Sequence, residues 1–384
     1  MEVDMKRFFL LLIIISLTFI PKVNSLEMET SAKSAILIDQ NTGTVLYKKN
    51  EHEKLPMASM TKVMSLLLIM EKINDGTLTY DDEVTISDEA SSMGGSQIFL
   101  QTGDKYKVRE LLKSVAMASA NDAVVALAEK TYGSKESFIE AMNQKAKDMG
   151  LKNTNFVNVH GLDEENHYSS AYDMAMMAKE LLKYEDVLAF TSVYEEYLQK
   201  PDGSQIWLVN TNKLVRFYEG VDGLKTGYTQ GAGYCLTATG KRNNLRLISV
   251  VMGEETIEMR SQDTVKLLNY GFNTYKVNMI KSKNEVLGKV KVEKGKVEYT
   301  EVVLVNDAIE LLNVNDKISK YKFELSLDKV IAPVKKGEII GNVKILDEEG
   351  KLINEVEITV NKAIEKANLW DLFLRNMKMV MAFK

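Results

Sequence analysis

The sequence lacks disulfide cross-links, so its fold must be stabilised mainly by a hydrophobic core. Its 384 residues include a single cysteine and four prolines, so no internal disulfide can form. It also lacks a long block of one charge, because 49 Lys and Arg are interspersed with 54 Asp and Glu. A chain without a basic patch is not expected to bind nucleic acid. Cys235 lies in a strand-like apolar segment, which predicts a core residue rather than a nucleophile.

One apolar run is relevant to targeting. Two basic residues precede residues 8–20, a run as long as a signal-peptide core and short for a membrane span. Pro21 ends the run, and small residues follow up to Ser25. We therefore predict a signal peptide over residues 1–25, with cleavage after Ser25 and export of the rest. An uncleaved N-terminal anchor is the alternative.

Residues 26–274 show both strand and helix patterns. Alternating apolar residues over 34–49, with Gly43 between them, predict a hairpin. Helical spacing dominates from Pro56 to Leu182, and strand patterns return after Lys225. Strands at both ends with helices between them predict an α/β domain whose terminal strands pair in one sheet.

The pattern changes again in the last third of the chain. From residue 275 to 360 the helical period is missing, and alternating apolar residues with spaced glycines predict a small all-β, sandwich-like domain. Residues 361–384 have apolar residues at helical spacing and an excess of Lys and Arg. This predicts a basic amphipathic helix that lies on an anionic membrane surface. A helix packed on the β domain, or a dimer contact, is the alternative; its charges exclude a membrane span.

Three short motifs follow one another along the chain: Ser59-Met60-Thr61-Lys62, Ser119-Ala120-Asn121 and Lys225-Thr226-Gly227. Each motif is weak alone, because Ser-x-x-Lys recurs at 319–322 and 326–329, in segments that alternate like strands. Their conjunction and order point to acyl transfer through a serine ester.

The first motif supplies a nucleophile and a base. A serine hydroxyl becomes nucleophilic when a neighbouring base takes its proton. Ser59 and Lys62 are three residues apart on a predicted helix and therefore share a face. Burial and a second ammonium, such as that of Lys225, would lower the pKa of Lys62 enough for this task.

The other two motifs supply groups for the substrate. Ser119 and Asn121 lie at a break between helical segments, where a hydroxyl could pass a proton to a departing amine and an amide could hold a peptide group. Either residue could equally cap the following helix. Lys225 and Thr226 suit a carboxylate, and Gly227 would allow a substrate backbone to approach closely.

Asp222-Gly223 and Ala232-Gly233-Tyr234 flank the third motif. With them, the chain resembles the low-molecular-mass penicillin-binding proteins, specifically the serine D-alanyl-D-alanine carboxypeptidases of peptidase family S11. The resemblance continues through Phe99 and the His160-Gly161-Leu162 segment. It implies a β-lactamase/transpeptidase-like catalytic domain, an antiparallel sheet layered with helices, followed by the β domain.

The resemblance also implies roles. Ser59 is expected to be the acylated nucleophile, Lys62 the base and Ser119 the proton relay. The residues expected to bind substrate are Asn121, Lys225, Thr226, Gly227, Tyr228 and Arg260. The amide of Tyr228 would pair with that of Ser59 as an oxyanion hole, although some family members carry histidine at that position. Arg260 would help to hold the terminal carboxylate.

The expected substrate is the stem pentapeptide of peptidoglycan, with β-lactams as inhibitors and no cofactor or metal. The expected location is the outer face of the cytoplasmic membrane or the cell wall.

Three other functions match part of the sequence. A serine β-lactamase of this fold needs a Glu-x-x-Leu-Asn loop between the second and third motifs, and the match at 310–313 falls in the β domain. A zinc peptidase would use His160, His167 and Asp173, whose spacing fits no standard zinc motif; His160 is instead predicted to be a structural hydrogen-bonding residue. A catalytically weak peptidoglycan-binding scaffold would not need the three motifs.

Overall fold

The computed structural model describes residues 28–371 together with Phe373 and Met377. It divides into a short unit, residues 1–31, and a second unit from Ala32 onward. Residues 28–31 are the described part of the first unit and have no regular secondary structure. The predicted signal peptide, 1–25, lies outside the described residues. No helix in the described part of the chain is long and apolar enough to cross a bilayer.

The elements up to Thr274 alternate as the sequence predicts. The strands are β1 Ser34–Asp39, β2 Val45–Lys49, β3 Glu83–Thr85, β4 Lys105–Lys107, β5 Glu195–Gln199, β6 Gln205–Val209, β7 Val221–Thr229, β8 Gly233–Arg242 and β9 Leu245–Glu254. The α-helices are α1 Lys62–Asn74, α2 Asp88–Ser91, α3 Val108–Ala118, α4 Asn121–Tyr132, α5 Lys135–Asp148, α6 Ala171–Leu181, α7 Leu188–Thr191, α8 Leu214–Phe217 and α9 Ile257–Thr274. Two 3₁₀ helices span Ala58–Thr61 and Glu185–Val187.

An antiparallel five-stranded sheet, in the order β2-β1-β9-β8-β7, organises this domain. The first strands of the chain therefore pair with the last strands before α9, as expected. Both faces of the sheet are covered: Ile36 and Ile38 join the large core that includes α1 and α6, whereas Leu37 and Leu247 pack against Gly271 of α9. This alternation is why every residue of β1 is buried.

Helix α1 runs through the interior of the domain. Residues 62–70 are all buried, and the helix packs against α4 and α6. A helix that is apolar on every side needs such a position. It carries Lys62 at its first turn, so this ammonium is drawn into the core with the apolar residues that follow.

Residues from Tyr275 onward form the predicted β domain. Its strands are β10 Tyr275–Lys281, β11 Val286–Glu293, β12 Tyr299–Leu304, β13 Ala308–Asn313, β14 Lys322–Leu327, β15 Val330–Ile331, β16 Ile339–Leu346 and β17 Leu352–Val360. A six-stranded sheet, β14-β16-β17-β12-β11-β15, and the β10-β13 pair enclose a second hydrophobic core. The Ser-x-x-Lys match at 326–329 begins in β14, an exposed edge strand, which agrees with its interpretation as a chance match.

The expected helix over 361–384 begins later than predicted. Ile364 bridges to Val334 and Lys366 bridges to Gly295, so residues 361–368 continue the β domain instead of forming a helix. Ile364 is buried in the second core, and this burial outweighs the local helical spacing. Helical residues are described only at 369–371, Phe373 and Met377; the remainder of the predicted helix lies outside the described residues.

Candidate active site

Ser59 lies in the 3₁₀ helix Ala58–Thr61, immediately before α1. Lys62 Nζ is 3.1 Å from Ser59 Oγ, so the three-residue spacing brings the two groups together as predicted. The same nitrogen donates to Asn121 Oδ1 and to the carbonyl oxygen of His160, each at 2.7 Å. Its two shorter contacts are therefore to pure acceptors, and its longest contact is to the serine hydroxyl.

The surroundings of Lys62 favour the neutral amine. The side chain is fully buried, and desolvation together with the charge of Lys225 holds the pKa of Lys62 well below its usual value, against a smaller opposing effect of Asp122. A neutral amine has two N–H donors and one lone pair. Asn121 and His160 take the two donors, which leaves the lone pair for the Ser59 hydroxyl.

Asn121 begins α4 and connects the base to a neighbouring segment. Its Nδ2 donates to the Gly94 carbonyl at 2.8 Å, and its backbone N–H donates to the Ser96 carbonyl at 2.7 Å. The Asp122 carboxylate accepts from the N–H groups of Ile98 and Leu100, which holds the same segment against the start of α4. The side chain of Asn121 thus holds Lys62 and connects it to the segment that contains Gly94.

Ser119 occupies a strained position between α3 and α4. It has φ 62°, in the left-handed region that non-glycine residues seldom adopt. Its hydroxyl oxygen is buried and makes no hydrogen bond to any described residue. The alternative role of Ser119 or Asn121 as the cap of the following helix is wrong, because Ala120 is the N-cap of α4 and no side chain caps it. Ser119 is instead the C-cap of α3.

Strand β7 brings the third motif beside the nucleophile. A Cβ on Gly227 would lie 2.8 Å from the Met57 carbonyl oxygen and 3.1 Å from Ala58 Cβ. The close approach that requires glycine is therefore made by the protein's own 57–60 segment, and not by a substrate backbone as the sequence predicts. A side chain at this position would push the 3₁₀ helix away from the sheet.

Two cations from different elements are buried together behind β7. Lys225 is fully buried, its Nζ donates to the Thr226 carbonyl at 3.0 Å, and Arg260 of α9 is 6% exposed. Burial, assisted by the charge of Arg260, lowers the pKa of Lys225 to about 7. The Arg260 Nε finds no hydrogen-bond acceptor among the described residues. Two poorly paired cations form a site suited to an anion.

Hydroxyl groups extend this site towards the surface. Thr226 Oγ1 donates to Thr211 Oγ1 at 2.7 Å, and the Thr211 N–H donates to the Met117 carbonyl. Sequence reasoning missed Thr211, because a lone threonine in a loop gives no signal. The Tyr228 side chain is exposed, and its ring is stacked on that of Tyr234 at 4.3 Å between ring centroids.

Sequence reasoning also missed the supporting role of the 158–167 loop. Besides the His160 carbonyl, the loop contributes Gly161, on which a Cβ would lie 1.9 Å from the Ala58 oxygen. His160 is a structural hydrogen-bonding residue as predicted, since its Nδ1 accepts from the Leu162 N–H and burial lowers its pKa to about 3. Among the described residues no group of His, Cys, Asp and Glu side chains is arranged to hold a metal ion.

Comparisons with known proteins agree with this geometry. Residues 21–256 match the family model of the D-alanyl-D-alanine carboxypeptidases, peptidase S11, and residues 275–366 match that of the C-terminal domain of penicillin-binding protein 5. The chain is 45% identical over 376 residues to the D-alanyl-D-alanine carboxypeptidase DacF of Bacillus subtilis, covering 96% of each chain. It is 33% identical to DacA of Escherichia coli K12 over 372 residues, 94% of this chain and 90% of that protein.

A solved structure shows the same likeness. Penicillin-binding protein 5 from Haemophilus influenzae superposes with a TM-score of 0.69 at 32% identity, over 88% of this chain and 99% of that chain.

Proposed function

The chain belongs to the D-alanyl-D-alanine carboxypeptidase family, peptidase S11, and from this premise we propose how its residues carry out the reaction. The enzyme is a serine D-Ala-D-Ala carboxypeptidase whose substrate comes from peptidoglycan and which binds β-lactams. The contact set of Lys62 carries the proposed mechanism: two buried acceptors hold its N–H groups, and its third contact is the Ser59 hydroxyl at 3.1 Å.

In the proposed acylation, Lys62 takes the proton of Ser59 as its oxygen attacks the carbonyl of the terminal D-Ala-D-Ala bond. The backbone N–H groups of Ser59 and Tyr228 donate hydrogen bonds to the carbonyl oxygen and stabilise the negative charge that develops on it. The proton taken up by Lys62 then passes through the buried hydroxyl of Ser119 to the departing amine of D-Ala, and the remaining peptide stays on Ser59 as an ester. Water then hydrolyses the ester and returns the free serine.

We assign specificity for the C-terminal end of the substrate peptide to two buried cations, Lys225 of β7 and Arg260 of α9. A terminal carboxylate would pair with Lys225 and Arg260, which have few anionic partners of their own, and with the hydroxyl of Thr226. An amide or ester in place of this carboxylate would leave two buried cations without a counter-charge. Cleavage is thereby confined to the last peptide bond.

The test of the nucleophile is covalent labelling. Purified protein is incubated with a fluorescent penicillin, and any adduct is mapped by intact mass and peptide analysis. Ser59→Ala is expected to lose both the adduct and release of D-Ala, because no other hydroxyl contacts Lys62 Nζ in the described site. Ser326→Ala, in the exposed Ser-x-x-Lys match, is the control and should label normally. An adduct that persists in Ser59→Ala would refute the assignment.

We also propose that the protein is exported and acts at the outer face of the cytoplasmic membrane, with its C-terminal segment on the lipid surface. Support comes from the apolar side chains at the start of that segment. Leu369 is 88% exposed and Trp370 is 65% exposed, with the Trp370 ring stacked on that of Phe373. Exposed aromatic and aliphatic side chains beside several lysines suit an anionic interface.

Vesicle co-sedimentation tests this second proposal. The processed chain, residues 26–384, is expected to pellet with phosphatidylglycerol–phosphatidylcholine vesicles and less with pure phosphatidylcholine. The same processed chain truncated after Ala367 should remain in the supernatant with its peptidase activity intact. Equal pelleting of the truncated variant would contradict the proposed surface helix, without affecting the catalytic assignment.

A further inference from the structure

His167 lies outside the proposed catalytic contacts but is linked to the nucleophile through Thr61. The ring is buried, and its Nε2 is 2.7 Å from Thr61 Oγ1. Thr61, fully buried, donates in turn to the carbonyl oxygen of Ala58 at 2.8 Å. Ala58 immediately precedes Ser59.

The other ring nitrogen fixes the direction of these bonds. The Val157 N–H donates to His167 Nδ1 at 3.1 Å, so Nδ1 is an acceptor and, in the neutral ring, the hydrogen is on Nε2. Burial lowers the pKa of His167 to about 4, so the ring is neutral at neutral pH. His167 therefore donates to the Thr61 oxygen, and the only hydroxyl hydrogen of Thr61 is committed to Ala58.

The chain of bonds ends on the peptide that carries the oxyanion donor. The Ala58 carbonyl and the Ser59 N–H belong to one planar peptide group, so fixing the carbonyl also fixes the N–H direction. That N–H is in the first turn of the 3₁₀ helix, where donors have no partner inside the helix. Ala58 has φ 48°, a conformation that its own side chain disfavours and that the surroundings must maintain.

Gly161 lies against the same carbonyl. A Cβ on Gly161 would lie 1.9 Å from the Ala58 oxygen and 2.8 Å from Thr61 Oγ1. No side chain fits in this space, so Gly161 confines the Ala58 carbonyl by contact, and the hydrogen bond to that carbonyl comes from Thr61.

We infer that His167 is a positioning residue that acts through Thr61 to aim the Ser59 N–H at the oxyanion. This inference deepens the proposed function and rests on it. The hydrogen bond on the carbonyl also polarises the peptide group, which strengthens the opposite N–H as a donor. The role concerns the transition state, because the donor is needed most when charge develops on the substrate oxygen.

Two substitutions separate this role from packing. Asn at position 167 places an oxygen where Nδ1 lies, so it keeps the bond from Val157 and loses the donor to Thr61. Gln reaches the Nε2 position with an N–H, so it keeps the donor to Thr61 and loses the acceptor for Val157. Each variant loses one of the two ring contacts, and similar losses of stability are expected.

Acylation by a penicillin is measured by stopped flow, together with kcat and KM for a D-Ala-D-Ala peptide. His167→Asn is expected to slow acylation about ten- to a hundredfold, somewhat less than removal of an oxyanion donor, which costs about 10² to 10³. The acylation rate of His167→Gln should stay within about threefold of the wild-type rate. KM and the acid limb of the pH profile should not change, since the contacts of Lys62 are intact.

Thr61 provides an independent pair. Thr61→Val removes the hydroxyl at nearly constant volume and should match His167→Asn, whereas Thr61→Ser should restore the rate. The double variant Thr61→Val with His167→Asn should be no slower than Thr61→Val, because both act through one bond to Ala58.

Equal acylation rates in His167→Asn and His167→Gln, whether both normal or both slow, would overturn the inference. Normal acylation by Thr61→Val would do the same, even if a His167 variant fails to fold. An unchanged protein that forms no adduct on Ser59 would instead refute the proposed function on which the inference rests.

Discussion

The buried ammonium of Lys225 is expected to cost stability at neutral pH, and the cost should disappear in base. Its pKa is about 7 in the folded protein, against 10.5 for a lysine exposed to water. Between these values the unfolded chain binds more protons than the folded one, so this residue makes stability rise with pH. Replacement by methionine removes the titrating group and keeps an unbranched apolar stem.

The magnitude follows from the two pKa values. Their separation corresponds to about 5 kcal/mol at about 1.4 kcal/mol per pH unit. At pH 7 about 4 kcal/mol of this cost is present, and by pH 10 it falls to about 1 kcal/mol. The free energy of unfolding of the unchanged protein, relative to Lys225→Met, should thus increase by about 3 kcal/mol from pH 7 to pH 10. Lys225→Met also loses the hydrogen bond from Nζ to the Thr226 carbonyl, but this loss changes the free energy of unfolding by the same amount at pH 7 and at pH 10.

Urea unfolding followed by circular dichroism at pH 7, 8, 9 and 10 provides the measurement. Lys329→Met, at an exposed lysine, controls for loss of an ammonium without burial and should track the unchanged protein at every pH. The reasoning would be refuted by a difference between the unchanged protein and Lys225→Met that stays constant over this range. Lys225→Met should also lose most peptidase activity, because the terminal carboxylate loses one of its cations.

Two further substitutions test the supports of the site. Gly227→Ala places a methyl group 2.8 Å from the Met57 carbonyl oxygen, so the free energy of unfolding should fall by about 1–3 kcal/mol and acylation should slow. Gly288→Ala is the control for thermal unfolding and penicillin labelling, because a Cβ at Gly288 would have no atom within 4 Å. Equal stability and equal labelling of the two variants would contradict the predicted steric clash at Gly227. Asp122→Asn removes a charge that raises the pKa of Lys62, so the acid limb of the acylation profile should move to lower pH. An unmoved limb in a folded Asp122→Asn protein would show that this charge does not reach the base.

The domain order and the main motifs were predictable because local patterns encode them. Alternation over 34–49 and the apolar run of α1 produce the strands and the buried helix that those periods require. Ser59 and Lys62 contact each other because they are three positions apart on one helical turn, a spacing that is visible in the sequence. The start of the final helix was predicted wrongly, because pairing of Ile364 with Val334 outweighed a helical spacing that is equally visible.

Which chemical groups are present, and which face of each element they occupy, can be read from the amino-acid order alone. Their surroundings depend on how distant segments pack: Lys62 contacts Asn121 and the His160 carbonyl, which are 59 and 98 positions away along the chain. The neutral base, the low pKa of Lys225, the close approach at Gly227 and the link from His167 to Ala58 all arise between segments distant in sequence. Burial and the distance between charges depend on how the layers pack. A periodic pattern indicates that one face of an element is buried, but it does not indicate which element packs against that face.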